Sequence, residues 1–226
     1  MDGYFLPAHV HCCRRGDAFV FLDLKQDDYT LIAGPAAEAL RALSDPSSAA
    51  SPGSVEHVLA ELVDGGLLTR DARAGKAISV TRTELALEPL LDIESPRPSA
   101  TLLDYFNFFA ACTTAAARLR WGALANTVAA VDRRKARHGH RPVDIEHARH
   151  LTAVFHRLRK IFPANYLCLF DSLALIEFLA RYDIYPTWVF GIKLDPWAAH
   201  CWIQQGQLTF NEGVEEAASY TPIMAI

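Results

Sequence analysis

Cys168 and His200 are the residues whose surroundings best suit covalent chemistry. Cys168 follows the helix-breaking run Pro163-Ala-Asn165. It stands at the start of a segment, Tyr166–Tyr182, in which Leu169, Leu173, Ile176 and Leu179 recur at helical spacing. A thiol there meets the positive end of the helix dipole and unpaired backbone N–H groups. Both favour the thiolate, and the same N–H groups can hold an oxyanion. His200 follows Ala198-Ala199 and opens a β-prone run that continues through Trp202. The small residues, with Trp202 on the same face, leave room beside the ring. A cysteine at a helix start and a histidine on a neighbouring sheet have the layout of a nucleophile and its base.

Such a pair needs a third group to orient the imidazole. Gln205-Gly206 reads as a tight turn between the last two strands. A two-residue turn there sets His200 opposite Asn211. A three-residue loop, Gln205–Gln207, sets it opposite Glu212, and a glycine bulge makes that register realistic. Either an amide or a carboxylate can accept from the ring N–H.

The other cysteines fit this chemistry less well. Cys12, Cys13 and Cys112 sit within apolar runs and read as core. Cys201 adjoins His200 on a strand, so its side chain points to the opposite face and is a poor partner for that ring. With five cysteines and no CxxC, the set reads as reduced thiols in a cytoplasmic protein. His138, His140, His147 and His150, with Asp144 and Glu146 between them, raise a His-rich metal site as an alternative. HExxH is absent and the ligand pairs are not tight, so a solvated helix end is the simpler reading and no metal is expected.

The elements that must position these residues fall on either side of Glu94–Ala100, a Pro- and Ser-bearing stretch read as a linker. This gives domains 1–94 and 95–226. The first opens with three β-prone runs: Tyr4–Cys12, Ala18–Leu24 and Tyr29–Ala33. Two helices follow, Pro35–Leu43 and Val55–Asp64, the second with Val55, Val58, Leu59 and Leu62 on one stripe. Leu67–Thr69 and Ile78–Val80 are expected to form a small wing. The second domain is helical over Thr101–Arg120, Ala123–Arg137, Ile145–Phe162 and Tyr166–Tyr182. Its period then changes to strands at Thr187–Lys193, Ala198–Gln204 and Gln207–Asn211. The class is α+β: a three-stranded sheet with a winged helix-turn-helix, a helical region, then an antiparallel sheet.

Composition narrows the partners. The net charge is −4 over 226 residues, and Val55–Asp64 has no Lys or Arg but carries Glu56, Glu61 and Asp64. A DNA-recognition helix needs donors, so no nucleic acid is expected. No apolar run is long enough to span a membrane, and the start of the chain lacks a basic region followed by an apolar one, so no signal peptide is expected.

Five segments together resemble the B protein of lasso-peptide biosynthesis. They are Cys168-Leu-Phe-Asp-Ser-Leu-Ala-Leu, Trp188-Val-Phe-Gly-Ile-Lys, Ala199-His-Cys-Trp-Ile, Asn211-Glu212 and Tyr220-Thr-Pro-Ile-Met. Residues 1–94 resemble, more loosely, the PqqD-like peptide-recognition domain. The family pattern has Asp where this chain has Glu212. The resemblance implies a papain/transglutaminase-like cysteine peptidase that removes the leader from a ribosomally made precursor, with Cys168 as nucleophile and His200 as base. Glu212 or Asn211 would be the third member. It further implies a precursor peptide and a lasso cyclase as partners. Members of that family need ATP; no Walker A pattern occurs here, so any ATP dependence is expected through the cyclase. The leader is expected on the third strand, Asp28, Tyr29, Thr30, Leu31 and Ile32. As a sheet edge before Gly34-Pro35, that strand offers an extended peptide its main-chain groups. The alternative to an enzyme is a non-catalytic peptide-binding scaffold.

Overall fold

The structure, a computed structural model, describes residues 3–44, 52–91, 98–138 and 142–226. The fold is α+β and the chain forms two compact units. Unit 1 holds residues up to Arg82 together with Thr221–Met224; unit 2 holds Thr83–Tyr220 with Ala225–Ile226. The expected linker lies largely in residues outside those described.

In unit 1 a short strand β1 (Leu6–Pro7) precedes β2 (Val10–Arg15), β3 (Ala18–Asp23) and β4 (Asp28–Ile32). Helices α1 (Pro35–Ser44) and α2 (Pro52–Asp64) follow, then β5 (Gly75–Lys76). The sheet runs β2-β3-β4, with Cys12 opposite Phe21 and Val20 opposite Leu31. Central β3 is covered on both faces, which is why Ala18–Leu24 is apolar without alternation. Phe19 and Phe21 pack with Leu40 of α1, Leu59 and Leu62 of α2, and Leu67–Leu68. Each such side chain contributes about 1.5–3 kcal/mol on burial.

The wing differs from expectation. Leu67–Thr69 does not pair with Ile78–Val80. Instead Thr69 bridges to Phe5, and Gly75–Lys76 pairs with Leu6–Pro7. The partner comes from the start of the chain, so local pattern in 67–80 could not supply it.

Unit 2 begins with β6 (Glu88–Pro89). Four helices follow: α3 (Leu102–Trp121), α4 (Leu124–His138), α5 (Ile145–Arg159) and α6 (Cys168–Leu179), the last continued by a 3-10 turn at Ala180–Tyr182. Then come β7 (Thr187–Leu194), β8 (Trp197–Gln205), β9 (Leu208–Thr209), α7 (Val214–Ser219) and a last strand β10 (Thr221–Ala225) that crosses the division between units. A Thr101–Asp104 capping box starts α3, and Asp144 caps α5 by accepting from the His147 N–H. Helix α6 is apolar on every side and lies between α3, α5 and β8. Its one buried acid, Glu177, is met by the Arg134 fork at 2.8 and 3.2 Å and by Arg118 at 3.5 Å. Removing those cations would leave a buried carboxylate without its partners, which is destabilising.

The sheet of unit 2 includes the order β7-β8-β9-β6. It is antiparallel except for β6, which pairs parallel to β9. The sequence reading has no such strand. The segment before it is held by the Gln204 side chain, which donates to the Glu84 carbonyl at 2.7 Å, and the residue after it by Leu90 N–H, which donates to the Thr209 carbonyl at 2.7 Å. No described helix is long and apolar enough to cross a membrane.

Candidate active site

Helix α6 begins at Cys168 itself, two residues later than the apolar spacing suggests. Leu167 is still extended, at φ −135° and ψ 127°, and its N–H is taken by the Asp171 carboxylate at 3.0 Å. Cys168 is therefore the first helical residue, partly exposed, where backbone N–H groups have no helical acceptor. One turn on, Ser172 donates to the Cys201 carbonyl at 3.1 Å, which seats the start of α6 against β8.

His200 lies on β8 opposite Gly191 of β7. Its ring stacks on Trp202 at 6.2 Å and meets Tyr220 at 5.1 Å. The absence of a side chain at 191 is required here: a Cβ would stand 2.9 Å from both the Trp202 ring and Tyr220 Cβ. Lys193 lies over the Tyr220 ring, 4.7 Å from its centre, and pairs with Glu216 at 3.5 Å.

The His200 Nε2 donates to Glu212 Oε2 at 2.6 Å, while Glu212 Oε1 accepts from the Gly213 N–H at 2.8 Å. The turn takes neither of the two expected registers. Gln205 pairs with Leu208, so the turn is Gly206-Gln207, with Gly206 at φ 57°. Pairing then stops: Phe210 N–H still reaches Ile203, but the chain leaves the sheet before Glu212. Glu212 thus approaches His200 from an irregular segment ahead of α7, not as a cross-strand neighbour. Asn211 is engaged elsewhere. Its Oδ1 accepts from Ile203 N–H at 2.8 Å and its Nδ2 donates to Ser172 Oγ at 2.9 Å. It ties β8 to α6.

Electrostatics follow from these contacts. The Cys168 thiol is brought down to about 4, first by a hydrogen bond from the Cys201 thiol and next by one from His200, against the effect of burial. His200 is raised to about 9, first by the Cys168 thiolate and then by Glu212. Glu212 is lowered, chiefly by its bond from His200. Between those values the pair is thiolate and imidazolium. With Nε2 held by Glu212, Nδ1 is the ring nitrogen left for the sulfur. Cys12, Cys13 and Cys112 are buried, and burial pushes their thiols up to about 11 or 12.

The comparison with known families fits this geometry. The family model described as the transglutaminase-like superfamily matches residues 110–225, just over half of the chain. The chain belongs to the transglutaminase-like superfamily. Searches of curated proteins and of solved structures give no match. The matched span of this transglutaminase-like chain takes in Cys168, His200, Asn211 and Glu212.

Other sequence-selected residues lie apart from this cluster. Asp28, Tyr29, Thr30, Leu31 and Ile32 make up β4, the outer strand of its sheet among the described residues, with Leu31 54% exposed. His138 stacks on Tyr185 and His147 lies 6.1 Å from Tyr182, while His140 is outside the described residues. Among the described residues no three His, Cys, Asp or Glu side chains are grouped to hold a metal ion.

Cys201 belongs at the site although the sequence reading sets it aside. It alternates with His200 along β8, yet its thiol, like the His200 ring, reaches the Cys168 sulfur. The spacing of Cys168 and Ser172 on one helical face, toward whichever strand packs there, carried that information.

Proposed function

We propose that this transglutaminase-like chain is a cysteine peptidase that releases the leader from a lasso-peptide precursor. The observation that carries the reading is Cys168 at the first position of α6 beside His200, whose other nitrogen is fixed on Glu212 at 2.6 Å. The Cys168 thiolate attacks the carbonyl at the leader–core junction. The oxyanion that forms lies near the open N–H groups of α6. His200 gives its proton to the departing amine of the core, leaving the leader as a thioester on Cys168. The ring, now neutral, takes a proton from water as that water attacks the thioester; the leader departs as its carboxylic acid and the sulfur as thiolate, which restores the thiolate–imidazolium pair. Glu212 keeps the ring oriented and supports its positive charge.

The precursor specificity rests on the motif resemblance. In this reading β4, Asp28–Ile32, receives the leader as an added strand in a cytoplasmic complex with a lasso cyclase. Any ATP dependence belongs to that cyclase.

The decisive experiment is leader release from a purified precursor, followed by mass spectrometry. Cys168→Ala lowers the rate by at least about 10³-fold, as expected for loss of a nucleophile. Undiminished release by that variant refutes the reading.

A further inference from the structure

Arg159 ends α5, where a cation is expected to reach into water, yet it is 2% exposed. Its Nε donates to Asp171 Oδ1. Its Nη1 donates to the Phe162 carbonyl at 3.3 Å. Its Nη2 donates to the carbonyls of Ala164 at 3.2 Å and Asn165 at 2.8 Å. The guanidinium plane is covered by Tyr166 at 4.4 Å and Phe170 at 5.2 Å. All of these partners lie in the turn that leads to Cys168 or in the first turn of α6. The other Asp171 oxygen holds the Leu167 N–H.

We propose that Arg159 is a positioning residue for Cys168. One side chain binds three successive parts of the incoming turn and, through Asp171, the last residue before the helix. The turn has no regular structure of its own, and Pro163 removes one of its N–H donors. Its shape is therefore set by where its carbonyls find donors: Arg159 serves those of Ala164 and Asn165, and shares the Phe162 carbonyl with the Ala164 N–H at 2.9 Å. Fixing Phe162–Leu167 fixes which residue opens α6 and how the Cys168 sulfur faces His200. Lysine cannot replace it, because an ammonium lacks the planar fork and the stacking faces. This inference rests on the peptidase reading for its consequence, but not for its geometry.

The test uses the full chain and needs no substrate. The alkylation rate of Cys168 by iodoacetamide is followed by mass spectrometry from pH 3 to pH 10 for the parent, Arg159→Lys and Asp171→Asn. Each curve is normalised to its own plateau, and melting curves are recorded alongside. In the variants the acid limb moves up by about two units, a roughly tenfold loss of relative rate at pH 5. A residue with a merely structural role would lower the melting temperature and leave the normalised curve in place. Unchanged curves in both folded variants overturn the proposal. A parent whose Cys168 reacts like an ordinary thiol overturns the peptidase reading instead. Should neither variant fold, amide exchange in the parent decides: a Leu167 N–H protected like the interior of α6 supports the proposal, and one exchanging at the free-chain rate overturns it.

Discussion

At the head of α6 in unit 2, polar side chains are paired with one another. His200 bonds Glu212, Asn211 bonds Ser172, and Arg159 binds Asp171 and three carbonyls. Along β4 in unit 1, the groups of interest are main-chain amides and carbonyls on the outer strand of a small sheet. The first arrangement is a handful of unlike side chains from distant stretches, each with a state set by its neighbour. The second is a repeat of one backbone unit, with identity supplied by side chains such as Leu31. Chemistry in the first kind of site is lost with one atom. Recognition of a peptide along an edge strand, as proposed for the second, would decline rung by rung.

The largest expected effect lies in unit 2. His200→Ala lowers leader release by about 10³–10⁴-fold, nearly as much as loss of Cys168, because the pair acts as a unit. In the parent, release depends on pH with two limbs. A thiol brought down to about 4 is ionised above that pH, and an imidazole raised to about 9 keeps its proton below it. Activity therefore rises through about pH 4, holds, and falls through about pH 9, as rates across the range should show. A single limb near pH 7 would contradict the paired state.

A smaller and more selective contrast separates Glu212 from Asn211. Glu212→Gln lowers the rate by about 10–100-fold and draws the alkaline limb down, since the imidazolium loses its carboxylate. Asn211→Ala leaves Ile203 N–H and the Ser172 hydroxyl without that partner. It costs about 1–3 kcal/mol of stability, read from denaturant melts, with the pH limbs unmoved. Reversal of these two outcomes would exchange their roles.

The smallest effect is expected in unit 1. Leu31→Pro removes one N–H from β4 and weakens leader binding by about fivefold, near the value of one net hydrogen bond. Titration of labelled leader onto the full-length Cys168→Ala chain measures it, and Cys168 alkylation in the Leu31→Pro chain should be unaffected. A loss of alkylation there would abolish the contrast between the two units.

Sequence alone determined the elements whose pattern is local. The apolar run of β3, the four helices between 102 and 179, and the change of period at Thr187 are all legible, because each is a hydrophobic repeat at a fixed spacing. The place of Cys168 near a helix start was legible for the same reason, with Pro163 as punctuation. Tertiary structure decided what depends on distant partners. Thr69 found Phe5, and Glu88–Pro89 joined β9, where no periodicity marks either pairing. The choice between Asn211 and Glu212 turned on a chain that leaves the sheet after Phe210, which register counting assumes it does not. In the sequence Arg159 is one basic residue among several in the last turn of a helix, with no periodicity to mark a partner. Only the fold, by bringing 162–167 back over it, gave it Asp171 and three carbonyls as partners. Periodicity records which face of an element is dry. It does not record which neighbour arrives there, and the site is made of neighbours.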